Sequence, residues 1–220
     1  APGSILWTYS DKNKAPLPGY ILPTAFFTFS DYWSNQNKFP VKLVSSIGND
    51  NFYQPVVIGG KDIVVISNMN THAIWVDLVL SLADLVAGKI IYYKLHPQHY
   101  HLKENVVAEF KGKSNVIVID DQMDAAGIFR RCDHVVGMRS TLIYSALQAG
   151  KNVYLYKRSN YDWDGDIIKY LSLFNDAYEL NDLIRNPYRI KSTNKSVPPI
   201  FFQKFNPQRF IELLDDIGSY

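Results

Sequence analysis

The sequence predicts an α/β protein built on a doubly wound parallel sheet, preceded by an irregular N-terminal segment. Three observations carry that expectation. From residue 62 onward, short apolar runs rich in β-branched residues recur at roughly 20–30-residue intervals, as buried strands of a parallel sheet do. Stretches with apolar residues at helical spacing lie between them. Helix-end chemistry also stands where it should, with Ser140 at the start of one such stretch and Gly150 at its close.

The elements follow in order. Asp62–Ser67 (DIVVIS) reads as a strand buried on both faces, and the polar loop Asn68-Met69-Asn70-Thr71 follows it. Ile74, Leu78, Leu82 and Leu85 mark a helix over Ile74–Val86 that ends at Gly88. Lys89–Leu95 (KIIYYKL) is the second strand and stops at Pro97. Val106–Phe110 reads either as a short helix or as a connecting strand. Asn115–Ile119 (NVIVI) is a strand, followed by Asp120-Asp121 and a helix over Ala125–Arg131. Asp133–Gly137 (DHVVG) is the fourth strand. The helix capped by Ser140 runs through Leu147, and Asn152–Tyr156 (NVYLY) is the fifth strand. A helix is expected over Asp166–Phe174, then a short run Ala177–Leu180 and a helix over Asp182–Arg185. Pro207–Ile217 is amphipathic, with Phe210, Leu213, Leu214 and Ile217 on one side. It either crosses to another domain or packs locally.

The first 60 residues fit this pattern less well. They contain Pro16, Pro18, Pro23, Pro40 and Pro55 and the aromatic string Phe26-Phe27-Thr28-Phe29, with one strand expected at Val41–Ser45. Residues 1–60 are therefore read as an N-terminal lobe or linker, and 61–220 as the ligand-binding domain with a C-terminal helix. The opening Ala1-Pro2-Gly3-Ser4 resembles a vector-derived leader, so the chain is expected to be a fragment of a larger protein.

Bulk composition narrows the function classes. With 47% hydrophobic and 20% charged residues the 220-residue chain has a globular balance and argues against disorder. Its net charge of +2 offers no electrostatic footprint for nucleic acid. The basic run Arg185, Arg189, Lys191 and Lys195 is either a peripheral contact for an anionic membrane face or a solvated linker. The 15 Tyr residues point either to half-wet binding surfaces or to coding bias. A single cysteine, Cys132, excludes an internal disulfide and is read as a small buried hydrophobe. No apolar stretch reaches membrane-span length, which gives a cytoplasmic expectation.

In a doubly wound sheet, ligands bind beyond the carboxyl ends of the strands. That rule selects the loops at Asn68–Thr71, His96–His101, Asp120–Asp124 and Gly137–Thr141. In Lys94-Leu95-His96-Pro97, a proline stiffens a histidine at a strand end, so its imidazole can donate to a phosphate or a leaving group. His99 and His101 lie near His96, but no carboxylate or cysteine joins them, and a metal site is not expected. In Gly137-Met138-Arg139-Ser140-Thr141, a glycine permits close approach and Arg139 can pair with a phosphate. Ser140 and Thr141 stand at a helix N-terminus that favours anions. Asp120 and Asp121 either bind ribose or base edges or supply favourable charge to the next helix. Walker, GxGxxG and GxSxG patterns are absent. Asp162, Asp164 and Asp166 lack the glutamate that closes a calcium loop.

These residues, in this order, resemble the C-terminal domain of GT-B glycosyltransferases. The matching stretches are KLHP, a strand with an acidic loop, and VVGMRSTLIYSALQAGKNVYLYK, within about residues 40 to 185. The pattern is similar to bacterial sialyl-, polysialyl- and Kdo transferases that use CMP-sugars, and to capsule and teichoic-acid polymerases of the CDP-glycerol type. The resemblance implies a Rossmann-like fold and places His96-Pro97 and Ser140-Thr141 at the nucleotide phosphate, with His96 as the catalytic group. Lys94, Gly137, Arg139, Asp120, Asp121 and Asn68 complete the expected nucleotide-binding set.

It further implies transfer from a nucleotide sugar, CMP-sugar favoured, to a glycan acceptor, with no metal or cofactor. The chain departs from the family in lacking a complete N-terminal half with its acidic base motif, so either a missing N-terminal acceptor domain or a cleft completed by another chain is expected. A CDP-donor phosphotransferase, a sugar-nucleotide epimerase and a non-catalytic scaffold module of a polysaccharide assembly complex are the competing expectations.

Overall fold

A computed structural model describes residues 25–35, 43–46, 48, 59–68, 72–138, 140–157, 165–186 and 200–218. The chain divides into two compact units, residues 54–198 and residues 1–53 with 199–220. The expected continuous 61–220 domain differs from this grouping at its C-terminal end, where the last helix belongs with the N-terminal residues.

In unit 54–198, the sheet comprises β3 (Asp62–Ile66), β4 (Ile91–Lys94), β5 (Val116–Ile119), β6 (Cys132–Gly137), β7 (Asn152–Tyr156) and β8 (Ser172–Phe174). All neighbours are parallel, in the order β5-β4-β3-β6-β7-β8. The chain starts in the middle, builds outward through β4 and β5, then returns to the other side of β3 with β6. This is a Rossmann-like α/β sheet, and its topological switch point lies between β3 and β6.

β3 is buried along its whole length, which is why its sequence is continuously apolar after Asp62. Its side chains alternate between two faces. Ile63 and Val65 join one core with Tyr93, Val136, Tyr154 and Phe174. α2 (His72–Leu85), α3 (Lys103–Glu109) and α7 (Ala177–Arg185) cover that core through Trp75, Val79, Leu82, Val106, Leu180 and Ile184. The opposite rows, including Val64, Val135 and Val153, are equally buried, as are Ile128 and Phe129 of α4 (Ala125–Arg131) and Ile143 and Leu147 of α5 (Thr141–Gln148). Cys132 is 1% exposed, and burial pushes its thiol pKa up to about 12, as suits a packed hydrophobe.

Two expectations are corrected. The helix over Asp166–Phe174 is only α6 (Gly165–Ile168), and Ser172–Phe174 is the edge strand β8, paired with β7 through Tyr154↔Ser172 and Tyr156↔Phe174. Sheet pairing and the burial of Phe174 override a local spacing that reads as helical. Ala177–Leu180 and Asp182–Arg185 are one helix, α7. The Asp176 carboxylate accepts from Tyr178 N at 2.9 Å and Glu179 N at 2.8 Å, and Ala177, Leu180 and Ile184 supply the buried stripe. The ambiguous stretch near Val106 is helical, within α3.

In the other unit, β1 (Ala25–Thr28) pairs in parallel with β2 (Leu43–Ser46), and α1 (Asp31–Asn35) lies between them in sequence. Part of the segment expected to be irregular is therefore a small sheet. Phe201 and Phe202 are fully buried beside it. The Phe201 carbonyl accepts from Ser30 Oγ at 2.8 Å and Trp33 Nε1 at 2.6 Å. Gly48, at φ 79, has the Lys204 backbone where a Cβ would stand, so only glycine fits there. Phe210 of α8 (Pro207–Gly218) meets Phe27 edge-on at 5.5 Å. Among the described residues, no helix is long and apolar enough to cross a membrane.

Candidate functional site

The carboxyl ends of β4, β3 and β6 lie side by side. Ile66 on β3 is level with Lys94 on β4, and Val65 is level with Val136 on β6. Hence Asn68, His96 and the Gly137–Thr141 turn all emerge at one edge of the sheet, around the switch point. Two strand spacings, roughly 10 Å, separate the ends of β4 and β6.

His96 follows β4 with extended backbone (φ −65°, ψ 142°) and caps the short 3₁₀ turn Pro97–Leu102. Pro97 takes the first position of that turn, where its missing N–H costs nothing. Gln98 N donates to His96 Nδ1 at 3.3 Å, and His99 N donates to the His96 carbonyl at 2.8 Å. An Nδ1 that accepts assigns the neutral ring its proton at Nε2. Desolvation, and then the neighbouring His99, hold the His96 pKa below the usual imidazole range. His96 is thus an N–H donor at Nε2, with its ring held by Gln98 N through Nδ1. The backbone N–H of His96 donates to Ser67 Oγ at 2.9 Å, and Ser67 N donates to the Lys94 carbonyl at 3.0 Å, which stitches the turn to the end of β3.

Lys94 and Asp120 are already occupied. The Lys94 ammonium donates to the Asp120 carbonyl at 2.5 Å and to Tyr100 Oη at 3.4 Å. Desolvation holds its pKa down, against the pull of Asp120 and Asp121. The Asp120 carboxylate accepts from Lys103 Nζ at 2.8 Å and from Gln122 N at 3.1 Å. The Lys103 hydrogen bond, first, keeps that carboxyl below the usual range. These two residues hold the turns after β4 and β5 together. Asp121 is exposed, and the cap of α4 is Asp124, whose carboxylate accepts from Gly127 N at 2.6 Å.

At the β6 end, a Cβ added to Gly137 would meet Ile143 Cδ1 at 2.8 Å, with Ile66 Cβ at 3.6 Å. Close packing of β6 against α5 therefore accounts for this glycine. Met138 is buried at 1% exposure, and Arg139 lies outside the described residues. Ser140 is the N-cap of α5: its Oγ accepts from Leu142 N at 3.2 Å, while Ile143 N donates to its carbonyl at 3.1 Å. Thr141 opens the helix, partly exposed, as Asn68 is at the end of β3.

Most of the loop Asn68–Thr71, together with Asp162, Asp164 and the basic residues Arg189, Lys191 and Lys195, lies outside the described residues. The structure thus brings His96, Asn68, Ser140 and Thr141 to one edge and sets Lys94 and Asp120 behind it as supports. Ser67 and Lys103 were missed by sequence reasoning. Ser67 had one signal, a hydroxyl ending an otherwise apolar strand; Lys103 had none.

No protein-family model and no curated protein matches the chain. Solved structures do resemble it. A Listeria monocytogenes protein described as a UDP-N-acetylglucosamine 2-epimerase aligns with TM-score 0.51 at 15% identity, over 73% of this chain and 45% of its own. The crystal structure of TarM aligns with TM-score 0.50 at 13% identity, over 88% and 43%. Anabaena Alr3699/HepE, solved with UDP-glucose, aligns with TM-score 0.48 at 16% identity, over 88% and 64%. The chain spans about half the length of the solved proteins it resembles. At such identities the likeness is one of fold, and that fold is the Rossmann-like α/β arrangement of a GT-B half.

Proposed function

We propose that the chain is the donor-nucleotide half of a metal-independent glycosyltransferase of bacterial surface-polysaccharide assembly, with a CMP-sugar as its donor. One observation carries the reading. A histidine at the end of β4 and the N-terminus of α5 at the end of β6 flank the switch point of a doubly wound sheet. A phosphate there would accept from His96 Nε2–H on one side and face the Ser140–Thr141 turn and the helix dipole on the other. As the sugar leaves, charge grows on that phosphate, and donors already in place stabilise it without reorganising. Asn68, and Arg139 beside the helix, complete the nucleotide contacts in this reading. A glycan hydroxyl is the acceptor, and a further acceptor-binding domain supplies the base.

The test is calorimetric titration of the wild-type chain and His96→Ala with CMP, CDP, UDP and GDP. Binding of CMP alone, weakened by the substitution, supports a CMP-sugar donor. Loss of one hydrogen bond to a charged group is worth about 1.5–3 kcal/mol, roughly tenfold to a hundredfold in Kd. The melting temperature should hardly move. A large drop in melting temperature with unchanged affinity refutes the role of His96. Preference for CDP or UDP changes the donor, and silence from all four nucleotides favours a scaffold role.

A further inference from the structure

β5 closes one side of the six-stranded sheet, with β4 beside it and, among the described residues, no strand beyond. Ile91 N donates to the Asn115 carbonyl at 2.8 Å and Leu95 N to the Ile119 carbonyl at 2.9 Å. In a parallel ladder this turns the backbone groups of Asn115, Ile117 and Ile119 towards β4 and those of Val116 and Val118 outward. The Val116 N–H is taken up locally, donating to the Lys113 carbonyl at 3.1 Å. The Val116 carbonyl and both backbone groups of Val118 remain on the open edge. Apolar surface lies on both faces of that edge. On one face a groove of about 440 Å³ runs between Glu104, Val107 and Ala108 of α3 and Val116 and Val118 of the strand, and Val107 is 50% exposed. On the opposite face Ile117 is 42% exposed.

Charge is divided along the edge. Lys103 pairs with Asp120, Lys113 with Asp84, and Glu109 lies against His72. Beside the groove this leaves Lys111 towards the amino end of β5 and Glu104 towards its carboxyl end, both exposed. An open strand edge accepts a further strand, and a two-fold axis brings the amino end of one such edge to the carboxyl end of the other. The charge pattern is then its own complement.

We propose that β5 is an interface between two copies of this chain, paired antiparallel about a two-fold axis at Ile117. In that register the Val118 N–H of each copy donates to the Val116 carbonyl of the other, and the Val116 N–H keeps its bond to Lys113. The two Ile117 side chains face each other across the axis as a non-hydrogen-bonded pair, with Cβ atoms about 5 Å apart. Lys111 of each copy lies beside Glu104 of the other, and Val107 enters the same seam. The two sheets become one continuous sheet. Four residues make a short seam, so the pairing is weak and depends on concentration. It does not depend on the role given to His96.

Sedimentation of the full chain, from micromolar to millimolar concentration, should show a monomer–dimer equilibrium. Ile117→Lys, at an exposed position, should weaken it by about tenfold or more without lowering the melting temperature of the monomer. Glu104→Lys and Lys111→Glu should each weaken it roughly tenfold, because the two-fold axis turns two attractions into two repulsions. The double reversal should restore it to within about threefold of wild type. Amide exchange reads the register: the Val118 amide should slow as concentration rises, and the Ile117 amide, which faces β4, should not.

A chain that stays monomeric throughout overturns the proposal and gives the edge to an extended segment of another protein. A dimer indifferent to Ile117→Lys, or a double reversal no better than the singles, places the contact elsewhere and overturns it as well. A Val118 amide whose exchange ignores concentration overturns the strand pairing.

Discussion

Gly137 separates two accounts of the β6–α5 turn, and the perturbation is Gly137→Ala. The new methyl would lie 2.8 Å from Ile143 Cδ1 and at ordinary contact distance, 3.6 Å, from Ile143 Cγ1 and Ile66 Cβ. Ile143 is fully buried, so its terminal methyl must shift within a packed core. Overpacking of this kind costs about 1–3 kcal/mol, against a gain of about 0.4–1 kcal/mol from restricting the unfolded chain. Ile143→Val removes the one atom in the way, at a cost of about 0.5–1.5 kcal/mol on its own.

The double variant should therefore be more stable than the sum of the two singles predicts, by about 1–2 kcal/mol, in urea unfolding with comparable slopes. Costs that add to within about 0.5 kcal/mol refute the packing account. Nucleotide titration supplies the second reading. If glycine is needed only for packing, the double variant regains affinity with stability. Regained stability without regained affinity means that the bare backbone serves the ligand.

Two further predictions concern the opposite end of the sheet. His134, hydrogen-bonded to Tyr154 Oη at 3.0 Å, has its pKa lowered to about 4, chiefly by burial. Above pH 6.5 both states are neutral; between 6.5 and 4 the unfolded chain takes a proton that the native chain refuses, so acid costs about 1.4 kcal/mol per pH unit and about 3 kcal/mol in all. The stability advantage of wild type over His134→Gln should shrink as pH falls from 7 to 4.5, and a pH-independent difference refutes the assignment. Lys151 has a fully buried side chain whose Nζ donates to the Gly59 carbonyl at 2.9 Å and lies 3.4 Å from Asp133 Oδ1, itself 38% exposed. Asp133→Asn strands a buried cation and should cost about 3 kcal/mol or more, whereas Lys151→Met leaves a half-solvated anion and should cost about 1–2 kcal/mol; thermal melts giving the reverse order would refute the reasoning.

The strands that sequence reasoning located are those whose burial is written locally. Asp62–Ile66 and Cys132–Gly137 lie at the centre of the sheet; the first reads as an unbroken apolar run after Asp62, and the second shows its apolar stretch only from Val135, after Asp133 and His134. The α5 helix was legible from Ser140 and from Gly150, whose φ of 76 suits the position after a helix. β8 was not, because Ser172–Phe174 is three residues long and becomes a strand only through its pairing with β7.

The same divide runs through the site. His96 announced itself by its place before Pro97, but the contacts that decide its state are made in space. Ser67 lies 29 residues away in sequence, and the Lys94–Asp120 contact spans 26. Lys94 was placed in the nucleotide-binding set by the resemblance, and Asp120 was read either as a contact to ribose or base edges or as favourable charge for the next helix. The fold spends them on each other and on Lys103.

That outcome shapes the electrostatics of the proposed reaction. The His96 pKa is held below the usual imidazole range, and the ammonium of Lys94 is directed at the Asp120 carbonyl. On the proposed reading, a leaving phosphate would then be stabilised mainly by fixed dipoles, the Nε2–H of His96 on one side and the first turn of α5 on the other. Dipoles of this kind help most when water is kept away and when they are aligned before the reaction begins. Alignment is what the turns around the site provide. Pro97 and Gln98 fix the imidazole, Ser67 ties its backbone to β3, and the tight Gly137–Ile143 contact sets the entry of α5. A doubly wound sheet lacking a glycine-rich phosphate loop can therefore still present a preorganised anion site, provided that the two strand ends flanking its switch point are rigid.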